Sequence, residues 1–245
     1  MRPFLVLPFA ALLAACGGDN TASSVNPPGR KTGTELKVLG IGASIMQEKP
    51  PLNALDTYLD GFHFRNGDLQ AQTEAHHYCA TLSDELIQCV IYDGNVKDAK
   101  LIGVEYVISE RLFATLPEME KPLWHSHGYE VKSGQLIAPG IPDMAEHALM
   151  KKLVRTYGKT WHTWHTDQHH ELPLGVPQLM MGFTADGQLD PQRVSDRDNR
   201  FGVSTEAQRR RRGDIESPAI LPGADAWQQG RVIQLTAPVA PSAPQ

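Results

Sequence analysis

No run in this chain is long and apolar enough to cross a bilayer. Its one hydrophobic stretch, residues 4–13, falls well short of the roughly 20 residues a spanning helix needs. Net positive charge is also missing: the formal charge is −5, which removes the electrostatic footprint of a non-specific nucleic-acid binder. There is no Gly-x-Ser-x-Gly elbow and no glycine-rich phosphate loop, so no nucleophilic or nucleotide chemistry is indicated and no catalytic residue is assigned. Internal repeats are absent as well. Cysteine is scarce: Cys16, Cys79 and Cys89 are the only three, and each stands in a telling place.

The start of the chain reads as an address. Met1-Arg2 supplies a short positive region, residues 4–13 an apolar one, and Leu13-Ala14-Ala15-Cys16 a run of small residues before cysteine. That pattern resembles a bacterial lipobox, with residues 1–15 removed as a lipoprotein signal and Cys16 left as the lipid-modified first residue. Acyl chains contribute about 0.8 kcal/mol per buried methylene, so several anchor a protein firmly. Gly17 follows in place of an aspartate retention signal, which points to the outer membrane with the protein facing the periplasm. Residues 16–49 are then expected to be a flexible tether. Asn26-Pro27-Pro28-Gly29 and the small polar residues before it carry too little apolar surface to fold. Such a linker of about 33 residues reaches roughly 30 Å on average.

Residues 50–216 are expected to form one α+β domain, mainly an antiparallel sheet with two or three packed helices. Apolar residues at 52, 55, 59 and 62 have helical spacing and predict a short amphipathic helix over 52–64. Strand-like runs follow at 75–82 and 86–92, with a turn at Ser83-Asp84-Glu85. Residues 101–108 read as a strand apolar on both faces, and Ser109 as the cap of a short helix. A helical stripe from Ile141 to Tyr157 is stopped by Gly158. Further strands are expected at 160–164 and 178–183, and residues 217–245 form a Pro/Ala-rich tail.

The chemistry-bearing residues centre on Leu123-Trp124-His125-Ser126-His127-Gly128, read as a strand entering a turn at Ser133-Gly134. Alternate residues on a strand share a face, which sets the imidazoles of His125 and His127 about 7 Å apart on one side and Glu130 on the other. Glu105 is an isolated carboxylate in an apolar strand, expensive to bury unless paired, protonated or on a metal. His76 and His77 face opposite ways, so one of them can join the set. Two or three imidazoles with one carboxylate suit Zn²⁺, Mn²⁺ or Fe²⁺, with His162 as an outer partner. The competing reading is a Glu105–histidine hydrogen-bonded network inside the sheet. His147, on a helix among charged neighbours, reads as a surface residue. Pairing Leu82 with Leu86 sets Cys79 opposite Cys89, at about the 4.5–5.5 Å between Cβ atoms that a disulfide can close. Packed thiols or metal ligands fit the same spacing. Arg209-Arg210-Arg211-Arg212 lies on a helix opened by Thr205 and Gln208; the run reads as a solvated face or as contacts to anionic lipid headgroups.

Several ordered blocks carry a family resemblance. Ala75-His76-His77-Tyr78-Cys79, Gln88-Cys89-Val90-Ile91-Tyr92-Asp93 and Leu101-Ile102-Gly103-Val104-Glu105-Tyr106 come first. Leu123-Trp124-His125-Ser126-His127, Gly158-Lys159-Thr160-Trp161-His162 and Leu172-Pro173-Leu174-Gly175-Val176-Pro177 complete the set. Over residues 50–216, ending with Arg200-Phe201-Gly202-Val203 before the arginines, the chain resembles the oil body-associated protein family of plants. The resemblance implies association with lipid storage bodies and attaches no reaction to the fold. The lipobox and tether depart from the plant pattern. So do His165, where glutamine is expected, and His169-His170, where Arg-Gly is expected; those three histidines are set aside from any family-wide site.

Two function classes follow. The first is a membrane-anchored, non-catalytic envelope lipoprotein that associates with lipid or a membrane-surface partner. The second is a metal-dependent periplasmic enzyme or metal-binding protein using the His125/His127 pair. The lipobox gives a direct test. Changing Cys16 to serine should move the protein from the membrane to the soluble fraction and abolish acyl labelling. Membrane association with unchanged acyl labelling would remove the anchor from the reading.

Overall fold

The computed structural model describes residues 20–236, so the expected signal sequence, Cys16 and the last nine residues of the tail lie outside the described residues. Two helices come first, α1 (Thr34–Met46) and α2 (Pro50–Asn53). The helix expected over 52–64 is then largely a strand, β1 (Thr57–Arg65), and Leu52 is exposed on α2. Leu59, Gly61 and His63 line the interior, while Phe62 and Phe64 reach an outer core with Leu179, Met181, Phe183 and Leu189. Both faces of β1 are therefore buried, which hides the two-residue period. The turn signal is Asn66-Gly67, with Gly67 at φ +90°, which returns the chain into β2 (Asp68–Ser83).

β2 pairs with β3 (Leu86–Tyr92) and β3 with β4 (Leu101–Ser109), all antiparallel. The turn after β2 is Asp84-Glu85 rather than three residues, because Ser83 pairs with Leu86. A bulge at Leu82 absorbs the difference, so Cys79 still lies opposite Cys89. β4 is apolar on both faces only in composition, since Val104 and Tyr106 are exposed outside. Ser109 accepts from the Leu112 N–H and caps α3 (Glu110–Ala114), as its position predicts.

β5 is two residues, His125–Ser126, and the chain then turns into α4 (Gly128–Ser133). Gly134 closes α4 at φ +82°, and a Cβ there would lie 2.3 Å from the Thr205 carbonyl oxygen, so only glycine fits. α5 (Asp143–Leu153) ends earlier than its stripe suggests, because Tyr157 and Gly158 belong to β6 (Thr156–His162). β7 (Gln178–Met181), α6 (Pro191–Phe201) and α7 (Thr205–Arg211) complete the order.

The strands run β4-β3-β2-β1-β7-β6, and β6 pairs back onto β4. The antiparallel sheet is thus a closed six-stranded barrel, not an open layer, and closure removes its free edges. Seven α-helices surround it among the described residues, rather than two or three. Val131 of α4 and Met150 and Leu153 of α5 pack inside against Leu59, Cys79 and Cys89.

The flanking segments are less free than composition suggests. Thr21 donates its N–H to Asn95 Oδ1 at 2.7 Å, Ser23 Oγ donates to Asp93 Oδ2 at 2.7 Å, and Val25 is buried. The expected tether therefore contains a docked segment and the helix α1. Beyond residue 217, Asp225 is buried under β5, Trp227 packs edge-on against Phe64, and Gln234 accepts the Leu179 N–H, so the described part of the tail is docked too.

The arginine helix also differs from expectation. Ser204, not Thr205, caps it through the Ala207 N–H. Arg212 is fully buried, donating to the Val131 carbonyl and paired with Glu146, so it cannot touch lipid. Arg209 pairs with Asp186, and Arg210 lies 3.2 Å from Glu206. Four arginines on one solvated face thus fails at Arg212, which is drawn inside by Glu146, while Arg209, Arg210 and Arg211 stay at the surface.

Arg197 of α6 is fully buried against the barrel wall, giving Nη1 to Asp60 Oδ1 and to the Gln135 carbonyl, both at 2.9 Å. Replacing it with methionine would strand a buried carboxylate, and a broken buried pair costs about 3–5 kcal/mol. Urea denaturation of Arg197→Met should show a loss of that size. A loss below about 1 kcal/mol, the range of surface pairs, would contradict the buried geometry.

Candidate functional site

Inside the barrel, strand register builds the site one row at a time. Cys79, Cys89, Glu105 and Thr160 lie side by side on β2, β3, β4 and β6; His77, Ile91, Gly103 and His162 form the next row. Glu105 is the acceptor at the centre. His77 Nε2 lies 2.9 Å from its Oε2, while His127 Nε2 and His125 Nε2 lie 3.2 and 3.4 Å from its Oε1. All four residues are buried.

The sequence expectation of His125 and His127 alternating on one strand face is replaced by a different construction. β5 presents His125, and His127 sits at the turn before α4 with φ −88° and ψ −1°. The turn, rather than strand alternation, brings the two ring centroids to 5.1 Å. It also rotates Glu130, expected on the opposite face, into the same pocket: donor atoms of His125, His127 and Glu130 all lie within 4.8 Å of one another. A fourth imidazole, His63 of β1, stands edge-on to His77, His125 and His162 at 5.0, 5.6 and 5.6 Å. His63 and Glu130 escape the sequence reading because the segments holding them were assigned the wrong period. Asn66-Gly67, a hairpin signal directly after β1, would have exposed the first error.

Of the remaining residues, His76 points away from this pocket, to the other side of β2. Its Nδ1 lies 2.8 Å from Tyr58 Oη and 3.1 Å from Asp60 Oδ2. Arg197 and Arg200 take up Asp60 and Glu74 there. His162 lies beside the pocket behind His63, and His147 sits outside with Asp214 at 2.9 Å. Cys79 and Cys89 are joined in a disulfide across β2 and β3.

The electrostatics follow from burial. Burial works to raise the Glu105 carboxyl, but the His127 and His77 contacts outweigh it and hold the group well below the ordinary carboxylate value. Burial pushes His125 and His162 down to about 3, against the attraction of Glu105. His63 is likewise lowered by burial, with Glu105 opposing and the neighbouring rings reinforcing. Burial, with the charges of Glu105 and Asp225, drives Glu130 well above its usual value. At neutral pH those three rings are therefore uncharged and keep a free lone pair, the form that ligates metals. The pocket encloses a cavity of about 20 Å³ lined by His63, His77, Glu105, His127 and Glu130. No lysine or arginine lines it.

With the geometry in place, the comparisons are informative. Residues 49–216 match a family described as "Protein of unknown function (DUF1264)". Oil body-associated protein 1B of Arabidopsis thaliana is 42% identical over 219 residues, covering 89% of this chain and 91% of that protein. Oil body-associated protein 1A of Zea mays is 42% identical over 213 residues, 86% of this chain and 90% of its own length. Oil body-associated protein 2C of Arabidopsis thaliana is 40% identical over 220 residues, 89% of this chain and 91% of its own. No solved structure matches.

The pocket depends on bare backbone at Gly158 and Gly182. A Cβ on Gly158 would stand 2.0 Å from Glu105 Oε1 and 2.8 Å from His127 Nε2. Gly158→Ala should therefore cost about 1–3 kcal/mol in chemical denaturation, as overpacking does. Gly42→Ala, on the exposed helix α1 with nothing within 4 Å, should instead stabilise by a few tenths to about 1 kcal/mol. Equal midpoints for the two variants would refute this placement of the carboxylate.

Proposed function

Because this chain belongs to the oil body-associated protein family, we propose that it works at a lipid surface, as a membrane-anchored, non-catalytic envelope lipoprotein. The observation that carries the reading is α1. Leu36, Val38, Leu39, Ile41, Ile45 and Met46 are all exposed, and the helix buries no residue. A helix apolar around most of its circumference belongs in a core or in lipid, and α1 has no core to enter. No described helix is long and apolar enough to cross a membrane, so α1 lies in the interface rather than through it. Its surroundings suit an anionic surface: within residues 30–49, Arg30, Lys31, Lys37 and Lys49 outnumber Glu35 and Glu48.

In this reading Cys16 carries the acyl anchor, α1 adds a second contact, and the barrel faces the periplasm from the outer membrane. The division suits the arithmetic of lipid attachment, since stable anchoring takes more than one signal. The arginine helix α7 is not needed for it.

Vesicle binding by a chain lacking residues 1–16 isolates the helix from the anchor and from the apolar stretch at 4–13. Cosedimentation with phosphatidylglycerol vesicles should fall as salt rises, because headgroup attraction is screened within about 10 Å at 0.1 M. Leu39→Glu with Ile41→Glu should weaken binding by about tenfold or more, each charge opposing burial in the interface. Binding that ignores both salt and these changes would refute the proposal.

A further inference from the structure

We propose that the barrel holds one divalent first-row metal ion, ligated by His77, Glu105, His125 and His127. The inference goes beyond lipid association and does not depend on it.

The first argument is geometric. Metal–nitrogen bonds of about 2.0–2.1 Å arranged tetrahedrally place neighbouring donor atoms about 3.3–3.4 Å apart. The three imidazole Nε2 atoms lie 2.9, 3.2 and 3.4 Å from the Glu105 oxygens. Three rings thus converge on one carboxylate, and donor atoms of His63, Glu105 and His125, and of His125, His127 and Glu130, lie within 4.8 Å of one another in each set.

The second argument concerns one proton. Thr156 Oγ1 donates to the Leu153 carbonyl at 2.7 Å, which commits the hydroxyl's only hydrogen. His127 Nδ1, 2.8 Å from the same oxygen, must then be the donor of that contact. With Nδ1 as the donor, Nε2 of a ring carrying one proton faces Glu105 Oε1 at 3.2 Å as a bare lone pair, and either a second proton or a cation must join the two. An outer hydroxyl that fixes the ring tautomer and aims Nε2 inward is a recurring partner of metal-bound histidine.

The third argument is the missing counter-charge. His125 has both ring nitrogens buried without a hydrogen-bond partner among the described residues, and His77 Nδ1, His63 Nδ1 and His162 Nε2 add three more. A buried polar atom left unpaired costs about 1–3 kcal/mol, so their concentration around one carboxylate calls for a shared ligand. The contrast lies on the other side of β2. Asp60, Glu74 and His76 also cluster, but Arg197 and Arg200 supply the positive charge. That set has its charge met by arginine, although Asp60 Oδ2 and His76 Nε2 stay without a hydrogen bond, whereas the inner one has no arginine or lysine among the described residues of its lining.

Mixed imidazole and carboxylate donors select Zn²⁺, Mn²⁺ or Fe²⁺ over Ca²⁺ or Mg²⁺. Beside the ion, the cavity of about 20 Å³ admits one water-sized ligand. Glu130 lines that cavity and is placed to hydrogen-bond such a ligand.

The test is metal analysis of the full-length protein, solubilised in detergent and purified without a polyhistidine tag. Elemental analysis should find about one ion per chain, and chelator-stripped protein should rebind one equivalent of Zn²⁺, Mn²⁺ or Fe²⁺ with a rise in Tm. His125→Ala/His127→Ala and Glu105→Gln should hold less than about a tenth of that, while His147→Ala, outside the barrel, keeps it all. Should the site variants fail to fold, X-ray absorption on the wild-type metal decides, with imidazole scattering expected at about 2.0–2.1 Å. Stripped wild-type protein that binds none of the three ions would overturn the proposal in favour of a proton on His127. Full metal content in the folded double variant would overturn the assignment of these ligands.

Discussion

A carboxylate that no arginine or lysine reaches is the constraint on which the inside of this barrel depends. Glu105 stands at mid-strand on β4, walled by β3 and β6, and among the described residues the groups nearest its oxygens are the imidazoles of His77, His125 and His127. The rest of the interior is organised to allow this. Gly158 leaves out a side chain where the carboxylate sits, and Gly182 does the same beside Glu130 and His125. His63 braces the rings from behind, and α4 turns at the point where His127 and Glu130 both come within reach. An apolar residue at position 105 would make the barrel easier to fold, so retaining a carboxylate among histidines is a cost that a bound cation offsets.

How much of this can be read from the amino-acid order depends on how local each determinant is. Glu105 is legible because a lone charge in Leu-Ile-Gly-Val-Glu-Tyr-Val-Ile breaks an apolar run and needs a partner. The Cys79–Cys89 juxtaposition is legible because hairpin register is set within about ten residues, and the bulge at Leu82 offset a one-residue error in turn length. His63 is not, because residues 52, 55, 59 and 62 imitate a helix. What makes β1 a strand is the packing of Phe62 and Phe64 on residues more than a hundred positions away. Barrel closure is hidden for the same reason, since the β4–β6 pairing crosses some fifty residues. α4 was concealed by the alternation of His125 and His127. The backbone approaches at Gly128 and Gly134, against Ser217 and Thr205, shape that segment and leave no local signature.

The exposed apolar helix and the buried pocket occupy different parts of the molecule. α1 offers apolar side chains with no protein partner, whereas the histidines are sealed inside a wall of paired strands. Selection can therefore alter one without disturbing the other.

The docking of Thr21 to Val25 changes the picture of how the barrel is held. With a loose tether the barrel would drift at about 30 Å from the bilayer in any orientation. Thr21 is instead clasped by Asn95, giving its N–H to the side chain and accepting the Asn95 N–H in return. Five residues separate it from Cys16, and five extended residues span at most about 18 Å. An anchor at Cys16 thus becomes a short leash attached to the loop between β3 and β4. Such an anchor would hold that loop within about 18 Å of the bilayer surface, nearer than a free tether would.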